Sequence, residues 1–176
     1  MYPYARLALA VAQARRAPPL MVLQPHVSHH RVYPWDLDPW RELNNGRTLT
    51  LFDLGRIPMS IRMGFDKVAR QNGWGITVAG NSTRYRRRVT VFTTLMQRSR
   101  VIGWDDRFSY VDQSFWRGDE CTAQMLLRSA FTSKAGIVPP ATVLATLGQD
   151  PVSPPLPEWI AAWIAADVKR PWPPER

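Results

Sequence analysis

Apolar positions change their spacing several times along this chain, and each change marks an element. Residues 4–16 (YARLALAVAQARR) put Leu7, Val11 and Ala14 on one side, which predicts a short helix ended by Pro18-Pro19. From Leu20 to Val32 the pattern is mixed, and Val32 to Trp35 reads as the start of a first strand. Beyond Asp38, Leu49, Phe52, Ile57 and Ile61 fall at helical spacing, and Leu51, Leu54 and Met63 widen the apolar face past half the circumference. A helix of that kind is buried on several sides. Pro58 inside it predicts a kink or a restart, and Gly64 and Gly73 bound what reads as a short linker.

From Trp74 to Lys134 the composition turns to Thr, Val, Phe, Trp and Tyr in alternation, predicting strands near 74–88, 90–103, 107–117 and 120–132. Asp105-Asp106 and Gly118-Asp119 are natural hairpin turns, and Lys134-Ala135-Gly136 ends the last strand. Short connections make successive strands antiparallel neighbours. The expected class is therefore α+β, a long buried helix followed by a four-stranded meander that packs on it. Residues 139–147 have the pattern of a short helix. The expected organisation is an N-terminal helical segment at 1–19, a main domain at 20–150 and a Pro- and Trp-rich tail at 151–176.

Composition narrows this picture in two places. One cysteine, Cys121, excludes an internal disulfide and any cysteine-based metal site, which makes a reducing, cytoplasmic compartment the expectation. A formal net charge of +9 points to an anionic partner: nucleic acid, an anionic membrane surface or a phosphorylated small molecule. No apolar run reaches the roughly 18 to 20 residues of a membrane span. The helix at 4–16 either docks on its own domain or lies on a membrane interface with Arg15 and Arg16 reaching lipid phosphates, so residues 1–19 are a candidate peripheral membrane contact.

Candidate chemistry gathers at residues 34–56, PWDLDPWRELNNGRTLTLFDLGR. Asp36 and Asp38 stand where strand spacing stops, and Asn44-Asn45-Gly46 open the long helix. The first N–H groups of a helix lack partners and sit at the positive end of its dipole, so this junction suits an anion. On local grounds Asp38 is either a helix-capping residue or a chemical group. Asp36 reads as structural, pairing with an arginine such as Arg56. Asp53 and Arg56 lie three apart on one helical face, the spacing of an intrahelical pair.

The order Asp36-x-Asp38-x-x-x-Glu42-x-Asn44-Asn45, then Asp53-Leu54-Gly55-Arg56, then Tyr85-Arg86-Arg87 in the meander, resembles the hotdog-fold acyl-CoA thioesterases. The branch most similar is that of the 4-hydroxybenzoyl-CoA thioesterases, and the resemblance covers roughly residues 30–138. It implies a hotdog fold, a long central helix wrapped by a curved antiparallel β-sheet. It also implies thioester hydrolysis of an acyl-CoA by a homodimer or homotetramer, with no cofactor. The resemblance makes Asp38 the general base or nucleophile and gives Asn45, at the helix start, the backbone N–H that stabilises the oxyanion. Glu42 replaces the histidine usual at its position; it takes over the base role, caps the helix start or marks lost activity. Asn44, Asp53, Arg84, Arg86 and Arg88 are candidate substrate-binding residues, the arginines for coenzyme A phosphates. Strand alternation puts Arg84, Arg86 and Arg88 on one face.

Two other functions compete. A hotdog protein that binds acyl-CoA or acyl carrier protein without cleaving it shares every feature above except turnover. A nucleic-acid module needs aromatics interleaved with basic residues on an exposed sheet face, which only residues 84–88 offer; nucleic acid is therefore not an expected partner.

Overall fold

A computed structural model describes residues 2–174. Helix α1 (Tyr4–Arg16) leads to strand β1 (His26–Arg31), a 3₁₀ turn (Pro34–Asp36) and the central helix α2 (Asn45–Arg62). Helix α3 (Phe65–Asn72) then precedes β2 (Gly75–Tyr85), β3 (Thr94–Trp104), β4 (Ser109–Arg117), β5 (Glu120–Ser133) and β6 (Gly136–Val138). Helices α4 (Pro140–Thr146) and α5 (Glu158–Val168) follow. The long central helix and the curled antiparallel sheet around it are the hotdog architecture, as the spacing and the resemblance implied.

The sheet corrects the expected meander. Its order is β1-β3-β4-β5-β2, with β6 beside β5. Of the four expected strands, β3, β4 and β5 are joined by tight hairpins; β2 pairs with β5 at the far edge, although β3 follows it in sequence. Two further corrections concern local signals. The first strand ends at Arg31, so Val32 lies beyond it, and residues 34–36 form the 3₁₀ turn. Pro58 neither ends nor restarts α2, which runs on to Arg62. Its missing N–H is tolerated in a helix with α1 along one side and the sheet below. The supposed linker between Gly64 and Gly73 is helix α3, and both glycines take positive φ (82° and 65°) at its two caps.

The core lies between α2 and the concave face of the sheet. Leu51, Phe52, Leu54 and Met59 of α2 are at most 2% exposed and meet Leu95, Phe115, Met125 and Leu127. Phe52 stacks on Phe115 with ring centroids 4.2 Å apart. A buried polar group interrupts this contact: Gln97 and Gln113 each donate through Nε2 to the carbonyl of Phe52, both at 2.9 Å. On the convex face, residues 151–174 are more than a tail. Helix α5 packs Ile160, fully buried, against Tyr110 and Leu126, and Arg128 holds Asp167 at 2.7 Å.

Candidate active site

The segment from Tyr33 to Asn44 is built on two carboxylates with different tasks. Asp36 is fully buried. It accepts from Arg6 Nη1 at 2.9 Å, from Arg47 Nε and Nη2 at 3.1 and 2.9 Å, and from the Tyr33 N–H at 3.0 Å. The structural role expected of it holds, but its arginines are Arg6 and Arg47. Arg56 instead binds Asp53 at 2.6 Å, the intrahelical pair that their spacing allows, and the Tyr2 hydroxyl also donates to Asp53 at 3.2 Å.

Asp38 is half-buried at the base of a tight loop. Its Oδ1 accepts from the N–H groups of Trp40 (2.9 Å) and Glu42 (3.1 Å), while its own N–H donates to the Glu42 carbonyl at 2.8 Å. Arg41, with φ of 60°, closes the turn. The carboxylate stands in for backbone acceptors, as Asp does in turns. One result is that Glu42 is carried forward. A second tie, from the Leu43 N–H to the Val89 carbonyl (2.8 Å), fixes the loop against the segment after β2.

Between that segment and the start of α2 lies a cleft of about 260 Å³ lined by Glu42, Asn45, Tyr85, Arg86, Arg87 and Arg88 among others. Asn44 is the N-cap of α2, its Oδ1 accepting from the Arg47 N–H at 3.2 Å. Thr48 N–H makes the first bond inside the helix, to the Asn44 carbonyl at 2.8 Å. The N–H groups of Asn45 and Gly46 therefore have no protein acceptor among the described residues. Glu42 pairs with Arg88 at 3.0 Å, with the Arg88 side chain 85% exposed. Arg86 has no carboxylate partner among the described residues, whereas Arg87 and Arg117 share Glu120, whose carboxyl they hold below its usual range. Tyr85 donates to the Asn45 carbonyl at 3.3 Å, and burial raises its phenol pKa, so the hydroxyl stays neutral.

The sequence-based candidates thus separate. Glu42, Asn45, Arg86 and Arg88 share one cleft, with Asn44 and Asp38 supporting its rim. Arg84 is outside it: strand β2 ends at Tyr85, alternation stops there, and Arg84 lies on the convex side near Trp159 and Trp163. Asp53 lies further along α2, in a small cleft with Val78 and Asn81 of β2. Thr48 lines the main cleft without having been singled out, and Tyr85, quoted in the meander motif, lines it without having been given a role.

Residues 32–164 match the family model of the Thioesterase-like superfamily. The chain belongs to that superfamily. The chain is also similar to Protein THEM6 from Xenopus laevis, 30% identical over 164 residues, which are 92% of this chain and 78% of that protein. Among solved structures, a 1,4-dihydroxy-2-naphthoyl-CoA thioesterase from Synechocystis superposes with a TM-score of 0.60 at 9% identity, covering 70% of this chain and 95% of that one. A DHNA-CoA thioesterase from Staphylococcus aureus gives 0.60 at 11% identity, over 82% and 91%. At such identities these structures carry the hotdog fold alone. No helix among the described residues is long and apolar enough to cross a membrane.

Proposed function

We propose that this member of the Thioesterase-like superfamily hydrolyses acyl-CoA thioesters in the cleft between the start of α2 and the Arg86–Arg88 segment. One observation carries the proposal: Asn45, whose N–H at the positive end of α2 has no acceptor among the described residues, lines the same cleft as Glu42. In this mechanism the thioester carbonyl oxygen accepts from that N–H. Glu42 takes a proton from a water that attacks the carbonyl carbon. The tetrahedral oxyanion collapses, the C–S bond breaks, and the proton on Glu42 passes to the departing thiolate. Products are a carboxylic acid and free coenzyme A.

Arg86, Arg87 and Arg88 suit the phosphates of coenzyme A. Arg88 has a further task under this proposal. A phosphate that draws the exposed Arg88 away from Glu42 leaves the carboxylate free to act as base, so binding and activation are linked. Asp38 then acts as a positioning residue. A second mechanism keeps Asp38 as base or nucleophile, favoured by its Oδ2, which has no partner among the described residues. The β2 edge supports a homodimer: eleven residues long, largely exposed and unpaired on its outer side, with Ile76 and Val78 each 48% exposed.

The test is thiol release from a panel of acyl-CoA thioesters by purified protein. Glu42→Gln is expected to lower kcat by about 10² or more, the usual worth of a general base. Asp38→Asn is expected to lower it less. The reverse ranking transfers the base role to Asp38, and binding without thiol release across the panel leaves an acyl-CoA- or acyl-carrier-binding protein.

A further inference from the structure

A cleft larger than that at Glu42 lies elsewhere, between α1 and the edge strand β1, with a volume of about 640 Å³. Helix α1 packs on α2 and runs beside β1 without covering it. Each end of the groove is strapped by an arginine. Arg6 donates to the Arg31 carbonyl (2.9 Å) and to Asp36 at one end. At the other, Arg62 donates through Nε to the Pro18 carbonyl (2.9 Å) and through Nη1 to His26 Nδ1 (3.0 Å). Because arginine is always charged, that bond fixes His26 as the tautomer with its proton on Nε2. Nε2 is buried and has no acceptor.

The lining is unusual in charge. It contains Arg6, Arg31 and Arg62 and three histidines, and no carboxylate. Arg6 is neutralised by Asp36, but Arg62 and Arg31 have no carboxylate partner among the described residues. Burial lowers the pKa of His26 and His30 to about 4, so at neutral pH the fixed charge resides on the arginines. Between the straps the walls turn apolar. Leu9 of α1 is 62% exposed, Ala10 and Ala14 follow on the same side, and Leu54 and Pro58 of α2 form the floor. Small side chains on α1 keep the groove open. From Arg6 to Ala17 the helix runs for roughly 17 Å at its ordinary rise, enough for an extended alkyl chain of moderate length.

We infer that this groove binds an amphiphilic anion, a single alkyl chain with an acidic head group, the head at Arg62 and the chain along Leu9, Ala10 and Ala14. The site is separate from the Glu42 cleft and does not depend on thioester hydrolysis. Fatty carboxylates and single-chain phosphate monoesters share this chemistry.

The experiment titrates the full chain with dodecanoate, dodecyl phosphate and dodecanol below their aggregation concentrations, following backbone amide shifts by NMR. The expected result is shifts centred on α1 and β1 with either anion, and at least tenfold weaker binding of dodecanol. Arg62→Gln should remove that preference for the anions. Leu9→Asp, at a position exposed enough to leave folding intact, should weaken all three ligands. The stronger of the two anions identifies the head group as carboxylate or phosphate. Equal affinity for dodecanol and the anions, shifts confined to residues 42–48 and 85–89, or no shifts at all would overturn the inference.

Discussion

Replacing Asp36 by Asn is the sharpest perturbation of the loop that carries the candidate site. The wild-type carboxylate is fully buried and receives four donors, three from two guanidinium groups and one from the Tyr33 N–H. Asparagine keeps the shape but turns one oxygen into an NH₂, which then faces a guanidinium donor. It also takes away the negative charge that Asp36 sets against Arg6 and Arg47, whose side chains are 21% and 18% exposed. Removing one partner of a buried ion pair costs about 3–5 kcal/mol, and the partial exposure of both arginines puts the value near the lower end. Asp38→Asn provides the contrast. Asparagine still offers Oδ1 to the Trp40 and Glu42 N–H groups, so the loss is limited to the strengthening that charge gives those bonds, about 1 kcal/mol. Urea denaturation at pH 7 measures both. Asp36→Asn should lose about 2 kcal/mol or more beyond Asp38→Asn; equal losses would show that the Asp36 charge does not hold the loop.

Four shorter predictions follow from other parts of the molecule. His26 and His30 have folded pKa values lowered to about 4 by burial, against 6.5 when unfolded, so stability is fully present above pH 6.5 and falls as pH drops towards 4. Urea midpoints from pH 7 to 4.5 should show that fall, and His26→Leu should flatten it. Gly55→Ala, which in an open helix gains up to about 1 kcal/mol, should here cost about 1–3 kcal/mol in a thermal melt, because the new methyl lies 2.4 Å from the pinned Gln97 amide. Ile160→Ala should cost about 2–5 kcal/mol if α5 is integral to the fold, and well under 1 if it is an appended tail. Val78→Lys on the β2 edge should shift the sedimentation coefficient from dimer to monomer, and an unchanged value would remove β2 from the interface.

What the sequence revealed depended on how far apart the partners lie. Helix α2 was legible because its apolar spacing is local, although its cap is Asn44 and not Asp38. The hairpins at Asp105-Asp106 and Gly118-Asp119 were legible for the same reason. Strand β1 was not, because its inward positions are His26, Ser28 and His30 and carry no apolar alternation; only pairing with β3 makes it a strand. Helix α5 was hidden by prolines on both flanks and by an apolar pattern that goes all round, Trp-Ile-Ala-Ala-Trp-Ile-Ala-Ala. At the site, the resemblance picked out the Asp-x-Asp loop and the helix start but not the partners of Asp36. Nothing in the spacing of Arg6, thirty residues earlier, signals that contact.

The misplaced strand order bears most directly on function. Eight residues, 86–93, separate β2 from β3. That length suggests a hairpin, yet extended it spans up to about 28 Å. Three strand spacings amount to roughly 14 Å, so the segment can cross from β2 past β5 and β4 and enter the sheet at β3. The crossing passes the start of α2, where Val89 is tied to Leu43, and it carries Arg86, Arg87 and Arg88 with it. Had β2 and β3 paired as neighbours, those arginines would lie on a hairpin at the sheet edge. The crossing instead forms one wall of the cleft opposite Glu42 and Asn45. Shortening 86–93 by three residues would leave about 18 Å of reach. That still spans the sheet but lacks the slack to loop over α2. Such a variant should keep its fold by circular dichroism and lose the coenzyme A binding proposed for residues 86–88; retained binding would remove those residues from the proposal.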